Sequence, residues 1–263
     1  MKFQELQLIW QDTLTVFWGE WLDLRSRLTQ IAASGLVSPL IYIFAFGLGL
    51  GSALDRSVEP VAGDSYLEFI LPGMVALSSM TISFAGTTFS ICGERLFSKT
   101  FDELLLLPVS PLSLYLGKMS AGILRGLMTS ASVMLIAILF TGKVFSFLNP
   151  LFILLIVLNG AVFAGLGLII GLRVKSLEGV GLYNNFLLVP MSFLGATFFD
   201  PTTLPIALKV IVYCLPLTYT TLGLRAAAYL PASQFPWYSI PILAISAIAL
   251  CFIGAYQFSH QQD

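Results

Sequence analysis

The sequence predicts an all-α integral membrane protein. Six transmembrane helices are expected, with an amphipathic helix before the first, a helical cytoplasmic loop after the second, and short external re-entrant helices before the last. Three observations carry this reading. Only 10% of the 263 residues are charged, against roughly 25% in an ordinary soluble domain. Apolar residues make up 57%, and mean hydropathy is +0.90. The few charges fall in short clusters, separated by apolar runs near the length of about 20 residues that a bilayer requires. A soluble fold needs a charged surface that this chain cannot supply. Aromatics at 13% argue against intrinsic disorder, a net charge of −1 against nucleic-acid binding, and three cysteines against a disulfide scaffold.

Residues 1–30 come first. Phe3, Leu6, Trp10, Leu14, Phe17, Trp21, Leu24 and Leu28 recur at spacings of three and four, the signature of one helix face. Glu5, Asp12, Glu20 and Asp23 interrupt any apolar core that a cleavable signal peptide would need. The helix therefore lies along the cytoplasmic leaflet, with Trp at headgroup level, or packs on the protein itself; the pattern fits both.

Spans follow at 31–50, 69–91, 119–140, 151–172, 182–199 and 238–258, all within one transmembrane domain. Arg125 is the basic residue inside a span. A central Arg costs about 2.5–3.5 kcal/mol to insert, so snorkelling to cytoplasmic phosphates is favoured over a substrate contact. Between the last two spans, 201–231 is apolar but cut by Pro205, Pro216 and Pro231, which favours two short helices dipping into the membrane face. The pairs Gly47–Gly51 and Gly167–Gly171 are spaced for close helix approach. Loop charges set the orientation. Lys2, Arg25, Arg27, Arg95, Lys99, Lys118, Arg173 and Lys175 fall on one side; Arg56, Lys143, Lys209 and Arg225 fall on the other. Both termini are therefore placed in the cytoplasm.

Much chemistry is absent. No acidic residue lies between Glu68 and Glu94, Glu103 and Glu178, or Asp200 and Asp263, which argues against an ion-coupled carrier. His260 is the single histidine, and Cys92, Cys214 and Cys251 lack metal-ligand spacing, so neither a metal nor His-based catalysis is expected. No phosphate-binding loop occurs; Gly117-Lys118-Met119 lacks both the first Gly and the hydroxyl. The chain is not expected to be an enzyme, and any ATP that drives it is bound elsewhere.

One loop stands out. Residues 94–111 hold Glu94, Arg95, Lys99, Asp102 and Glu103 in an otherwise bare chain. Ser98 or Thr100 is placed to cap a short helix, with Asp102 and Glu103 in its first turn, where the helix dipole favours acids. Pro108 and Pro111 end it. Such a helix, acidic at its start and Leu-rich on one side, suits a groove on a partner protein; a plain solvated connector would leave four consecutive leucines poorly hidden.

The same stretch carries a resemblance. Glu94-Arg95, Thr100-Phe101-Asp102-Glu103-Leu104-Leu105, Leu107-Pro108-Val109-Ser110-Pro111 and Leu116-Gly117-Lys118 resemble the permease subunits of type-2 ATP-binding-cassette (ABC) exporters. A second match runs through Phe193-Leu194-Gly195-Ala196-Thr197-Phe198-Phe199, Leu204-Pro205, Leu215-Pro216-Leu217-Thr218-Tyr219 and Leu224-Arg225. Leu215 stands where Asn is common in that family, and Asp200 where an apolar residue or Pro is common. The resemblance implies a multi-pass inner-membrane permease that works as a homodimer with two copies of a separate ABC ATPase, which holds the ATP and Mg. The loop would be the coupling helix. Its ATPase contacts would be polar at Glu94, Arg95, Asp102 and Glu103, apolar at Leu104, Leu105 and Leu106, with Phe101 and Pro108 beside them. Arg125, Phe198, Phe199 and Tyr219 would be candidates for the substrate path. The cargo would be amphiphilic, lipid-linked, saccharide or drug-like. The competing class is an ion-gradient-driven carrier, or an assembly scaffold, with no ATPase.

Overall fold

The computed structural model describes residues 3–45, 65–106 and 108–260, and every regular element among them is helical. In chain order these are α1 (Phe3–Ser26), α2 (Leu28–Ser34), α3 (Val37–Tyr42), α4 (Tyr66–Gly93), α5 (Thr100–Leu105), α6 (Pro111–Thr141), α7 (Val144–Phe147) and α8 (Pro150–Arg173). Then come α9 (Leu177–Tyr183), α10 (Val189–Leu194), α11 (Ile206–Tyr213), α12 (Pro216–Tyr229) and α13 (Ser239–Ser259).

The long helices start where the local chemistry directs. Ser65 accepts from the Glu68 amide at 3.3 Å ahead of α4, and Ser110 from the Ser113 amide at 3.1 Å ahead of α6. Asn149 accepts from the Leu151 amide at 3.0 Å ahead of α8. Pro111 and Pro150 each occupy the first helical position, where the missing amide hydrogen costs nothing.

Among the described residues, four helices are long and apolar enough to cross a membrane: the run Tyr66–Ser98, α6, α8 and α13. The expected spans 69–91, 119–140 and 151–172 fall within them, and 238–258 does so apart from Tyr238, one residue before α13. The pair α11 and α12, bent by 87°, adds a fifth if it counts as one broken span. The other two expected spans differ. Residues 31–50 hold the end of α2 and all of α3, interrupted around Gly35-Leu36, and 46–50 lie outside the described residues, as do Arg56 and the Gly47–Gly51 pair. The helical run at 182–199 begins earlier, at Leu177, and ends earlier, at Leu194. It passes through a π turn at Asn184–Leu188, and residues 195–199 leave the helix as a bent strap.

α4 is the central element and packs on α6, α8 and α12. Within the most apolar stretch of the Tyr66–Ser98 run, 78% of residues are buried inside the protein, against 17% for α13, whose Ile245, Ile248, Phe252 and Tyr256 face outward. Hydroxyl and amide groups tie the central helices together. Thr88 donates to the Gly167 carbonyl at 3.0 Å, and Asn159 donates to the Ala76 carbonyl at 3.1 Å while accepting from Thr220 at 2.9 Å. In an apolar surrounding, each such group needs its partner.

α1 takes the second of its expected settings, packing on the protein itself, while one face stays exposed. Thr13, Val16, Glu20 and Leu24 turn inward, and the helix packs along α6. Gly117 lets it approach closely: a Cβ there would lie 2.6 Å from Val16 Cβ. Leu8, Trp10, Leu14, Trp18 and Leu22 remain exposed. The buried stripe is rotated from the expected one, because Trp10 and Leu14 point outward and Glu20 points in.

Candidate functional site

The bundle has two ends, and each buries charge. The loop end gathers Glu20 from α1, Glu94 from the turn after α4, and Lys118 and Arg125 from α6. Lys118 Nζ lies 2.7 Å from Glu20 Oε1 and 2.6 Å from Glu94 Oε1, with its side chain 4% exposed. Arg125 Nη2 lies 3.1 Å from Glu20 Oε2, and its Nη1 donates to the Gly86 carbonyl at 2.7 Å. Lys118 and Arg125 stand seven residues apart, two turns of one helix face, so a single acid facing that side reaches both. Two carboxylates and two cations neutralise each other. Burial pushes the Glu20 carboxyl up, but Lys118 and then Arg125 outweigh it and hold it below its ordinary value.

This corrects two sequence expectations. Arg125 does not snorkel: its guanidinium is bound by Glu20 and Gly86. Lys118 is not a solvated loop charge, because α6 begins seven residues earlier, at Pro111.

The loop is built in two parts. Glu94–Ser98 continues α4 as a π turn, Lys99 takes a left-handed conformation at φ 56°, and α5 follows. The helix cap is therefore Lys99, with no side-chain cap bond; Ser98 and Thr100 hydrogen-bond each other at 2.9 Å instead of capping α5. Asp102 and Glu103 do occupy its first turn. Arg95 Nη1 donates to the carbonyls of Gly171 at 3.0 Å and of Leu172 in the last turn of α8, and to that of Val174, just past the helix, at 3.3 Å. A cation at a helix C-terminus satisfies orphan carbonyls and opposes the helix dipole. Phe101 is 2% exposed, in a cluster with Ile91, Tyr115, Leu168 and Phe258.

The nine expected contact residues thus divide. Glu94, Arg95 and Phe101 anchor the loop from within. Asp102, Glu103, Leu106 and Pro108 are exposed, Leu106 at 86%, and Leu104 and Leu105 are half-buried. A cleft of about 940 Å³ separates α1 from this loop, lined by Asp12, Val16, Phe89, Glu103 and Leu104, with Lys118 at its floor.

The opposite end holds the other expected path residues. Phe198 lies against Tyr42, with ring centroids 5.3 Å apart, and Tyr219 donates to the Tyr213 carbonyl at 2.6 Å; Phe199 is half-buried. The structure does not bring these three together with Arg125, which belongs to the loop end. Here Lys143 pairs with Glu68 at 2.8 Å, and Arg225 is 4% exposed.

Sequence reasoning missed Glu20 and Arg225 as interior groups. A signal for the first existed: two cations on one face of a span require an acid, and Glu20 shares a helical face with Val16 and Leu24.

Comparison with known proteins agrees with this architecture. Residues 11–229 match the profile described as ABC-2 type transporter, well over half of the chain. The chain belongs to the ABC-2 type transporter family. "Inner membrane transport permease YadH" of Escherichia coli (strain K12) is 27% identical over 244 residues, covering 90% of this chain and 92% of that protein. "Nodulation protein J" of Rhizobium meliloti (strain 1021) is 30% identical over 186 residues, 70% of this chain and 69% of that protein. The counterpart from Rhizobium leguminosarum bv. trifolii is 29% identical over the same length. The profile spans both ends of the bundle, from α1 through the loop to α12. This ABC-2 chain is therefore a helical membrane subunit of transport-permease type.

Proposed function

We propose that this ABC-2 chain is the membrane-spanning half of an ATP-driven exporter in the inner membrane, with both termini cytoplasmic. It acts as a homodimer with two copies of a separate ATPase. ABC-2 permeases normally work with an ATPase partner. One observation carries the reading: the loop helix is held rigidly from below by Phe101, Arg95 and the Lys118–Glu94 pair, yet presents Asp102, Glu103 and Leu106 outward. A helix anchored on one side and bare on the other suits insertion into a partner's groove and transmits the partner's movement instead of absorbing it. Closure of the ATPase pair pushes on α5, and the buried quartet passes the displacement to α1 and α6. The exposed Trp and Leu stripe of α1 lies at headgroup level. Few charges line the helices, which favours an amphiphilic, lipid-linked, saccharide or drug-like cargo.

The test is charge reversal, Asp102→Lys with Glu103→Lys, in the complete complex. The variant is expected to insert normally but to lose the co-purifying ATPase and ATP-dependent transport in vesicles, since breaking one side of a docking charge pair costs about 2–5 kcal/mol. Full transport by the double variant overturns the docking role. A chain that purifies alone and takes up cargo under an ion gradient establishes the carrier reading instead.

A further inference from the structure

Arg225 is a buried cation held without a carboxylate. Its guanidinium carbon sits 3.5 Å from the centroid of the Phe69 ring on α4. Nε donates to the Phe69 carbonyl at 3.1 Å, and Nη2 donates to the carbonyls of Ala196 at 3.0 Å and Thr197 at 3.4 Å. Among the described residues no acidic oxygen stands within ion-pair distance of it. The two strap carbonyls belong to residues 195–199, the segment that leaves the helix after α10. A third, that of Phe198, accepts from the Tyr66 hydroxyl at 3.0 Å.

The strap is seated directly on α4. Gly73 makes this possible: a Cβ there would lie 2.9 Å from Thr197 Cγ2 and 3.1 Å from Thr197 Cα. Ala196 is held at φ 58°, a left-handed conformation that costs a non-glycine residue free energy and persists only where its surroundings impose it. Thr197 is fully buried, and its hydroxyl has no hydrogen-bond partner. The closed strap thus stores strain and an unsatisfied group; Arg225 and Tyr66 grip its carbonyls, and the Phe198 ring packs on Tyr42 and Phe193. Such contacts are weaker than the ion pairs at the loop end, and the Asp200 carboxylate, next in the chain after the strap, acts on Arg225 only from beyond ion-pair distance.

We infer that Arg225 is the positioning residue of a closure at the end of the bundle opposite the loop: it clamps the 195–199 strap onto α4, and its release opens that end. This rests on the permease reading, in which that end is the exit, and it names the element that bars the exit.

A thiol-labelling experiment tests it. In full-length protein reconstituted in vesicles, Cys214 and Cys251 are replaced, Thr197→Cys is introduced as reporter, and the buried native Cys92 at the loop end is retained as internal control. A soluble maleimide is expected to label position 197 slowly while Arg225 is present. With Arg225→Lys, which keeps the charge but cannot fork across the carbonyls, labelling should accelerate about tenfold or more, the size of one to two net hydrogen bonds, while Cys92 stays protected. Gly73→Ala is the second variant: it lifts the strap without touching Arg225 and should accelerate labelling at 197 in the same way. An unchanged rate at 197 in both variants overturns the inference. So does parallel labelling of Cys92 in both, which would make Arg225 a global packing residue. The labelling needs no ATPase. A strap that opens with Arg225→Lys but labels no faster on adding ATP to the full complex leaves the clamp standing and removes the ATPase-driven reading.

Discussion

The two ends of this permease solve one problem, charge inside a membrane protein, by opposite means. At the loop end, two carboxylates and two cations from three separate segments neutralise each other at 2.6–3.1 Å. At the strap end, beside the Lys143–Glu68 pair, the Arg225 guanidinium is held by backbone carbonyls and a ring face with no carboxylate in ion-pair contact. The first arrangement is stiff, because removing any member strands a full charge in a medium that cannot solvate it. The second is compliant, because carbonyl dipoles lose far less when the cation withdraws. In the exporter proposed above, this asymmetry would let the stiff end pass force on and the compliant end yield to it.

The comparison is most severely broken at Lys118. Lys118→Met leaves Glu20 and Glu94 facing each other in the interior and is expected to destabilise the protein by about 3–5 kcal/mol, read as a lowered thermal midpoint in detergent. Adding Glu94→Gln should restore part of the loss. If Lys118→Met unfolds no earlier than the parent, the quartet is not stiff. Next comes Asn159, buried between α4 and α12, where Asn159→Ala removes two interior hydrogen bonds, to the Ala76 carbonyl and from the Thr220 hydroxyl. Between about 1 and 3 kcal/mol of destabilisation is expected from the same measurement.

A gentler probe is pH. The folded Glu20 carboxyl lies below its ordinary value of 4.5, so its contribution is fully present above that value and is lost as pH falls through the folded value. The docking of α1 on α6 should therefore hold at neutral and mildly acidic pH and loosen only below the usual glutamate range. Proteolytic clipping of α1 as a function of pH measures this, and Glu20→Gln should abolish the dependence. The smallest effect belongs to Arg27, whose pairing with Asp23 at 3.4 Å is exposed on both sides; Arg27→Ala should shift stability by no more than about 0.5 kcal/mol.

The legibility of the site follows the same division. Phe101-Asp102-Glu103 and the leucines after them are adjacent in the chain, so their spacing already describes a short helix with a charged start. Its cap was misjudged because Lys99 takes a left-handed turn that no local pattern demands. The quartet was hidden for another reason. Glu20 lies about a hundred residues before its partners and reads as an interruption of an apolar face, and Lys118 reads as a loop cation when its helix is taken to begin at Met119. Arg225 was hidden more deeply still, since its partners are carbonyl oxygens that every residue possesses.

By itself, the sequence determined that the chain lives in a bilayer, where its long spans run, that no phosphate-binding loop is present, and which loop carries the exposed charge. Each of these rests on composition or on spacing within one helix or loop, which a linear pattern records. Only the tertiary structure decided that α1 belongs to the interior as well as the surface, that Lys118 and Arg125 share an acid, and that Arg225 grips the 195–199 strap. Buried charge selects partners by distance and desolvation, and neither is set until the helices pack.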